Sequence, residues 1–376
     1  MADLTARPDL VEQFADDDAS EFLRLACLVY GGDDLERQRQ AAELLRRDPS
    51  LARRSIHTAA AAGDAEAARE HLRDATIAGG PFGWEPLLYA AYSRVPGDHV
   101  AVARLLLEAG ADPNAGYLWD GTYRFTALTG AFGNGEDSPN QPPHPQALEL
   151  ARVLLEAGAD PNDDQTIYNR HFTPGTDYLA LLLEFGLDRR ALLEDALVFV
   201  ADNDRYADRV ALLLQHGVDP EGRGTRHPAL RDQRPIERAI ANGAVANEAL
   251  LRQAGAQPPA MDEIDDLLAR CMRGEHADGA HAAALIRRHP RALIDAVERG
   301  NRRGVEALAQ AGYDVNRLAG FGALHIAAYV GDRPMCELLL RLGADPSLRD
   351  GTHDGTPADW ARHSHHDELA AWLQAR

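Results

Sequence analysis

Seven side chains near the end of the sequence belong to types that hold metals: His353, His363, His365 and His366, with Asp354, Asp367 and Glu368. His363 and His366 stand three apart, a spacing that puts two residues on one helix face. Zinc takes four protein ligands, or three and a water, and neither a Cys nor a His-x-x-x-His pair completes such a set here. No metal or other cofactor is expected. The chain also lacks Gly-x-Ser-x-Gly, His-Glu-x-x-His and Cys-x-x-Cys, the patterns of a nucleophile elbow, a zinc-protease helix and a redox pair. Asp202-Asn203-Asp204 is without the Gly and closing Glu of a calcium loop. The other polar concentration is Gln165–Phe172, which reads Gln-Thr-Ile-Tyr-Asn-Arg-His-Phe, together with the Gly133–Pro145 loop. An enzyme site there would require those groups to converge in a buried pocket. That reading stands as the alternative to a binding protein, with a purely structural array as a third.

Charge narrows the partners. Basic residues number 39 against 59 acidic, every basic residue is Arg, and the net charge is -20. A surface so acidic repels phosphate backbones over any long approach, so nucleic acid is not expected. A protein partner with a basic surface, or simple solubility, suits it. Cys27, Cys271 and Cys336 are odd in number, far apart and set in apolar helical patterns. They read as buried free thiols in a reducing compartment. No apolar run approaches the ~20 residues of a membrane span, and the N-terminus has no basic region leading into an apolar core. A soluble, cytoplasmic protein without membrane association is the expectation.

Those side chains must be positioned by the elements around them, and the clearest stretch of these is Phe321–Leu373. It begins Gly322-Ala323-Leu324-His325-Ile326-Ala327-Ala328, reaches Gly331-Asp332, and continues through Cys336-Glu337-Leu338-Leu339-Leu340 to Gly343-Ala344-Asp345-Pro346. The unit restarts at Gly355-Thr356-Pro357-Ala358, 33 residues after Gly322. Two short helices, each stopped by a Gly, at this period resemble the ankyrin repeat. Similar units run from Ser55-Ile56-His57-Thr58, from Glu85-Pro86-Leu87-Leu88 to Gly110-Ala111-Asp112-Pro113-Asn114, and from Thr126-Ala127-Leu128 to Gly158-Ala159-Asp160-Pro161-Asn162. Later closures fall at Gly186, Gly217, Gly255 and Gly312. Consecutive Leu residues such as Leu105, Leu106 and Leu107 need burial from two sides, which stacking of neighbouring pairs supplies.

The fold expected is all-α: a curved ankyrin-repeat solenoid of roughly ten helix pairs with short β-hairpin loops. Residues 1–18 form a polar lead-in, 19–257 a first array with insertions at 116–124 and 133–145, and 261–376 a second block with a C-terminal cap. The seam is placed at Pro258-Pro259, because Leu44-Leu45-Arg46-Arg47-Asp48-Pro49 returns beyond it as Leu285-Ile286-Arg287-Arg288-His289-Pro290. The first helix is expected over Glu21–Tyr30, ended by Gly31-Gly32. The resemblance implies that His57 and His325 bond backbone and tie neighbouring repeats. It also implies that projecting hairpins and a concave face of first helices contact partners.

One projection is rich in rings. Gly116–Phe125 reads Gly-Tyr-Leu-Trp-Asp-Gly-Thr-Tyr-Arg-Phe, and Asp120-Gly121 signals a two-residue hairpin turn. That turn sets Tyr117 opposite Arg124 and Leu118 opposite Tyr123. Tyr117, Trp119 and Arg124 then face outward, while Leu118, Tyr123 and Phe125 anchor the hairpin. With Tyr168, Asn169 and Arg170 from the irregular stretch, they are the expected partner-binding residues of a scaffold or inhibitor protein.

Overall fold

The computed structural model describes residues 17–276 and 279–376; most of the 1–18 lead-in lies outside them. The described residues hold 22 α-helices, short 3-10 turns and one two-stranded sheet. They divide into two compact units, Met1–Leu192 and Leu193–Arg376.

Local chemistry sets where each helix starts and stops. Ser55, Thr126 and Thr356 cap the helices Ile56–Ala62, Ala127–Phe132 and Pro357–His363, each within a capping box. Pro86, Pro235 and Pro357 occupy first turns, where a missing N–H costs nothing. Gly63 ends its helix at φ 64°, and a Cβ there would lie 2.8 Å from Gly97 Cα. Left-handed backbone and close approach both demand glycine at this point.

In the first unit the helices Asp18–Ala26, Ile56–Ala62, Pro86–Tyr92, Ala127–Phe132 and Asp164–Asn169 pack in succession, each on the next. The helices Ala65–Glu70, His99–Glu108, Ala147–Glu156 and Asp177–Glu184 form a second row. Small residues permit the closeness: Ala59, Ala60 and Ala61 are fully buried, and a Cβ on Gly130 would meet the Tyr92 ring at 2.4 Å. In the second unit, helix Glu263–Met272 packs on Pro235–Asn242 and Arg302–Gln310, and Ala292–Glu298, Ala323–Val330 and Pro357–His363 follow in turn. Its core runs from Leu267 to Leu373. Pro258-Pro259 lies inside this unit, between Val245–Gln253 and Glu263–Met272.

The first helix differs from expectation. It ends at Ala26, short of Tyr30. Leu28 N–H donates to Tyr92 O at 3.0 Å and Arg94 N–H to Ala26 O at 2.8 Å, so the chain leaves the helix to pair with the end of Pro86–Tyr92. The buried Asp33 carboxylate then accepts from the N–H groups of Val29 and Tyr30 at 2.9 and 2.7 Å. Tyr30, at φ 58°, is thereby turned onto Tyr92 and Phe125.

The three cysteines are buried free thiols. Burial pushes Cys27 and Cys336 up to about 12, so both stay protonated. His57 Nε2 donates to Ile77 O at 2.8 Å, and His325 Nε2 to Leu348 O and Gly355 O at 3.1 Å each. His325 thus reaches from its own repeat to the start of the next. No described helix is long and apolar enough to cross a membrane.

Candidate protein-binding site

The hairpin forms, but in a different register. Asp120 and Gly121 both take positive φ, 49° and 65°, and Thr122 N–H donates to Trp119 O at 3.1 Å. That is the turn the Asp-Gly pair favours. The strands Gly116–Trp119 and Tyr123–Thr126 then pair Tyr117 with Phe125, Leu118 with Arg124 and Trp119 with Tyr123. Thr122 is an extra residue on the returning strand, and a one-residue slip moves every side chain there to the other face.

The observed register departs from several of the expected orientations. Tyr117 is only 6% exposed and packs inward, while Leu118 at 49% and Tyr123 at 52% face solvent. Tyr117, Trp119, Tyr123 and Phe125 share one face, which forms an unbroken run of rings from the core to the tip. Trp84 stacks on Tyr117 at 4.6 Å, Tyr117 on Phe125 at 5.7 Å, Phe125 meets Trp119 at 6.2 Å, and Trp119 meets Tyr123 at 6.1 Å. The base of the run is buried, Trp119 is half-buried and Tyr123 is open. Arg124 lies on the opposite face, as expected outward, but its guanidinium turns back and donates to Asn114 O at 2.6 Å. Gly116 is forced by the pairing, since a Cβ there would lie 2.7 Å from Phe125 O.

The irregular stretch is a helix, Asp164–Asn169, followed by a 3-10 turn, Arg170–Phe172. Asp163 caps the helix through Thr166 N–H and accepts a hydrogen bond from the Thr126 hydroxyl. The cap therefore fixes helix Asp164–Asn169 to the hairpin's end, and the helix packs on strand Tyr123–Thr126. Burial raises the Asp163 pKa. Tyr168 Oη donates to Glu136 Oε1 at 2.7 Å, and burial followed by that bond pushes its own pKa up.

Asn169 is a correction. It is 2% exposed, and its Oδ1 accepts from Gln165 Nε2 at 2.7 Å, so it has no surface to offer a partner. Arg170 is half-buried; it donates to Asn134 Oδ1, which also accepts from Thr173, and lies over the Tyr178 ring. Of the six expected contact residues, Trp119, Arg124 and Tyr168 retain outer surface together with part of Arg170, while Tyr117 and Asn169 belong to the interior. Leu118, Tyr123 and Glu136 are the additions. The strand alternation carries a signal for the first two, but the turn residues alone do not set which strand positions pair.

The 133–145 loop does bring polar groups inside. Asn134, Asn140, Gln141 and His144 are buried, as is His171. Their bonds tie the loop down. Asn134 N–H donates to Gln141 O, Gln141 Nε2 to Asp33 at 3.4 Å, Asn140 Nδ2 to Asp137, and Gln146 N–H to His144 Nδ1 at 2.9 Å. Arg94 sits beneath, donating to the carbonyls of Ala91, Ser93, Gly130 and Pro142. It closes the ends of helices Pro86–Tyr92 and Ala127–Phe132 and the loop that follows the second; burial lowers its pKa to about 10. Burial, then Arg94 and His99, pushes His144 down to about 2, so it is neutral. Among the described residues, no three His, Cys, Asp or Glu side chains gather as a metal site would require.

Helices packed in successive rows, one pair after another, are the architecture of a repeat protein. At two places these repeats match the ankyrin repeat family model, residues 82–116 and 319–351. The first match ends where the ring-rich hairpin begins. The chain is also similar to the E3 ubiquitin-protein ligase Ufd4 of Drosophila melanogaster, 44% identical over 75 residues. That similarity covers 19% of this chain and only 3% of the length of Ufd4.

Proposed function

We propose that the chain binds a cytoplasmic protein partner as a scaffold or inhibitor, through the first-helix face of the first unit and the 116–126 hairpin. One observation carries this. A run of packed rings reaches from the core to the tip and leaves Leu118 and Tyr123 in solvent. Apolar side chains held rigidly on a projection lose little conformational entropy on binding, and Tyr and Trp are the types enriched where binding energy concentrates. Ankyrin repeats generally mediate protein–protein contact, which agrees with this reading. The polar groups of the 133–145 loop are less suited to chemistry, because their bonds close the loop upon the helices.

The test is capture from native extract on immobilised protein, comparing the wild type with a Leu118→Ser, Tyr123→Ser double variant. A partner retained by the first and lost by the second, at unchanged melting temperature, supports the proposal. Equal capture by both would remove the hairpin from it.

A further inference from the structure

We infer that the 133–146 loop is an acid-released latch, held closed over the ends of three helices by neutral His144 and freed when His144 takes a proton. The latch needs no partner, so it stands or falls apart from the binding reading just given.

The closure is made at the loop's far end. His144 N–H donates to Ala131 O at 3.0 Å, inside helix Ala127–Phe132. The ring's Nδ1 accepts from Gln146 N–H at 2.9 Å. Gln146 Oε1 in turn accepts from His99 N–H at 2.9 Å and Val100 N–H at 3.4 Å, which satisfies the first turn of helix His99–Glu108. Arg94, just past the end of helix Pro86–Tyr92, donates from Nε to Pro142 O at 2.8 Å.

Protonation is incompatible with this arrangement. A ring nitrogen that accepts a hydrogen bond carries no proton, and in the imidazolium both nitrogens are donors. Charged His144 would therefore turn an N–H against Gln146 N–H and replace a bond with a repulsion. The charge would also be buried. Among the described residues, the charged or titratable groups acting on His144 are Arg94 and His99, and both oppose a proton on it. The His99 ring stands edge-on to it, with centroids 4.7 Å apart and 85° between the planes. His99 is itself bonded through Nε2 to Ala61 O at 3.1 Å; Arg94 opposes a proton there too, and Asp98 favours one. The closed loop thus refuses a proton that the open loop accepts near pH ~6.5.

Release would reach the candidate surface. The loop carries Glu136, which accepts from Tyr168 Oη, and Asn134, which accepts from Arg170. Opening it withdraws both from two residues beside the hairpin. The bonds lost join the loop to helix ends and leave the helices' own ladders in place, so opening is local.

Amide hydrogen exchange on the full chain at pH 7 and pH 5, corrected for the intrinsic pH dependence of exchange, tests this. Protection across 133–146 should fall about twentyfold between the two, the factor for a group whose pKa rises from about 2 to ~6.5 on opening. Helices Ile56–Ala62 and Pro86–Tyr92 should keep their protection. In His144→Gln, whose Oε1 can accept from Gln146 N–H, the fall should shrink to under about threefold. Gln146→Ala should loosen the loop at both pH values yet leave the twentyfold ratio, because His144 and the backbone N–H it bonds remain. A fall in His144→Gln equal to that of the wild type would overturn the proposal, as would a wild-type loop equally protected at both pH values. Equal loss from the loop and the two helices would show unfolding of the whole unit in place of a latch, and would overturn it as well.

Discussion

The side-chain amide of Asn114 bridges two repeats: its Nδ2 donates to Gly158 O at 3.0 Å, and its Oδ1 accepts from Asp160 N–H at 2.8 Å. Asn316 makes the same pair of bonds with Gly343 O and Asp345 N–H, at 2.9 and 2.8 Å. In both cases the Asn follows a helix-ending Gly by four residues and reaches the next such Gly. A residue placed in a projecting loop is therefore a clamp between loops. Asn114→Ala should lower stability by about 1–2 kcal/mol, the usual worth of two exposed-to-part-buried hydrogen bonds. Asn114→Asp, which keeps the acceptor and loses the donor, should cost about half as much. Urea unfolding monitored by circular dichroism measures both.

Tyr117 and Tyr123 lie on the same face of the hairpin but at opposite ends of its ring run, so their substitutions should separate. Tyr117→Ala empties a site against Trp84, Tyr92 and Phe125, and loss of a buried aromatic costs about 3–5 kcal/mol. Tyr123→Ala removes a half-open ring and should cost under about 1 kcal/mol. Thermal melts of the two variants side by side check the register directly. A larger effect from Tyr123 would instead favour the register that sets Tyr117 opposite Arg124.

Much of the repeat pattern was legible because its signals are local. Gly322 to Gly355 gave the period, Pro86 and Pro357 gave helix starts, and Gly63 and Gly331 gave helix ends. Tertiary contacts hid the remainder. Nothing near Ala26 announces that the helix will stop there, since the cause is Tyr92 and Arg94, more than sixty residues away. The turn type at Asp120-Gly121 was readable, but whether Thr122 pairs or bulges depends on which rings the array can bury. Asn169 looked like surface because it is polar, and it is interior because Gln165 bonds it.

Acid should weaken the first unit before its carboxylates titrate. His57, His99 and His144 all have pKa values lowered by burial, His144 to about 2. A depressed histidine contributes stability that is present above the unfolded value of ~6.5 and lost as pH falls below it, because the unfolded chain binds a proton the folded one refuses. With its folded value near 2, His144 steepens the loss by about 1.4 kcal/mol per pH unit between pH 6 and 4. His144→Gln, whose Oε1 can accept from Gln146 N–H as Nδ1 does, should make the decline between pH 6 and 4 shallower by that amount. Denaturant midpoints of both proteins across that range decide it.

The second unit should show its own acid response at lower pH, through Asp350. Its carboxylate accepts from the N–H groups of Thr352, His353 and Gly355 at 2.8, 2.7 and 2.9 Å, and from Trp360 Nε1 at 2.9 Å. Burial works against the charge, but these four donors outweigh it and hold the pKa below the ordinary value of 3.8. A depressed carboxylate contributes stability that is complete above its unfolded value and lost as pH falls toward the folded one. Wild type and Asp350→Asn should therefore differ by a constant amount above pH ~5 and converge below pH ~3.8. The asparagine variant keeps an oxygen for some of these donors but points an N–H2 at the others, so its deficit at neutral pH should be about 2–3 kcal/mol. Trp360 fluorescence follows the site locally, and His325 Nε2, bonded to Gly355 O, links it to the preceding helix. A deficit that stayed constant down to pH 3 would mean that the four donors do not lower the Asp350 pKa.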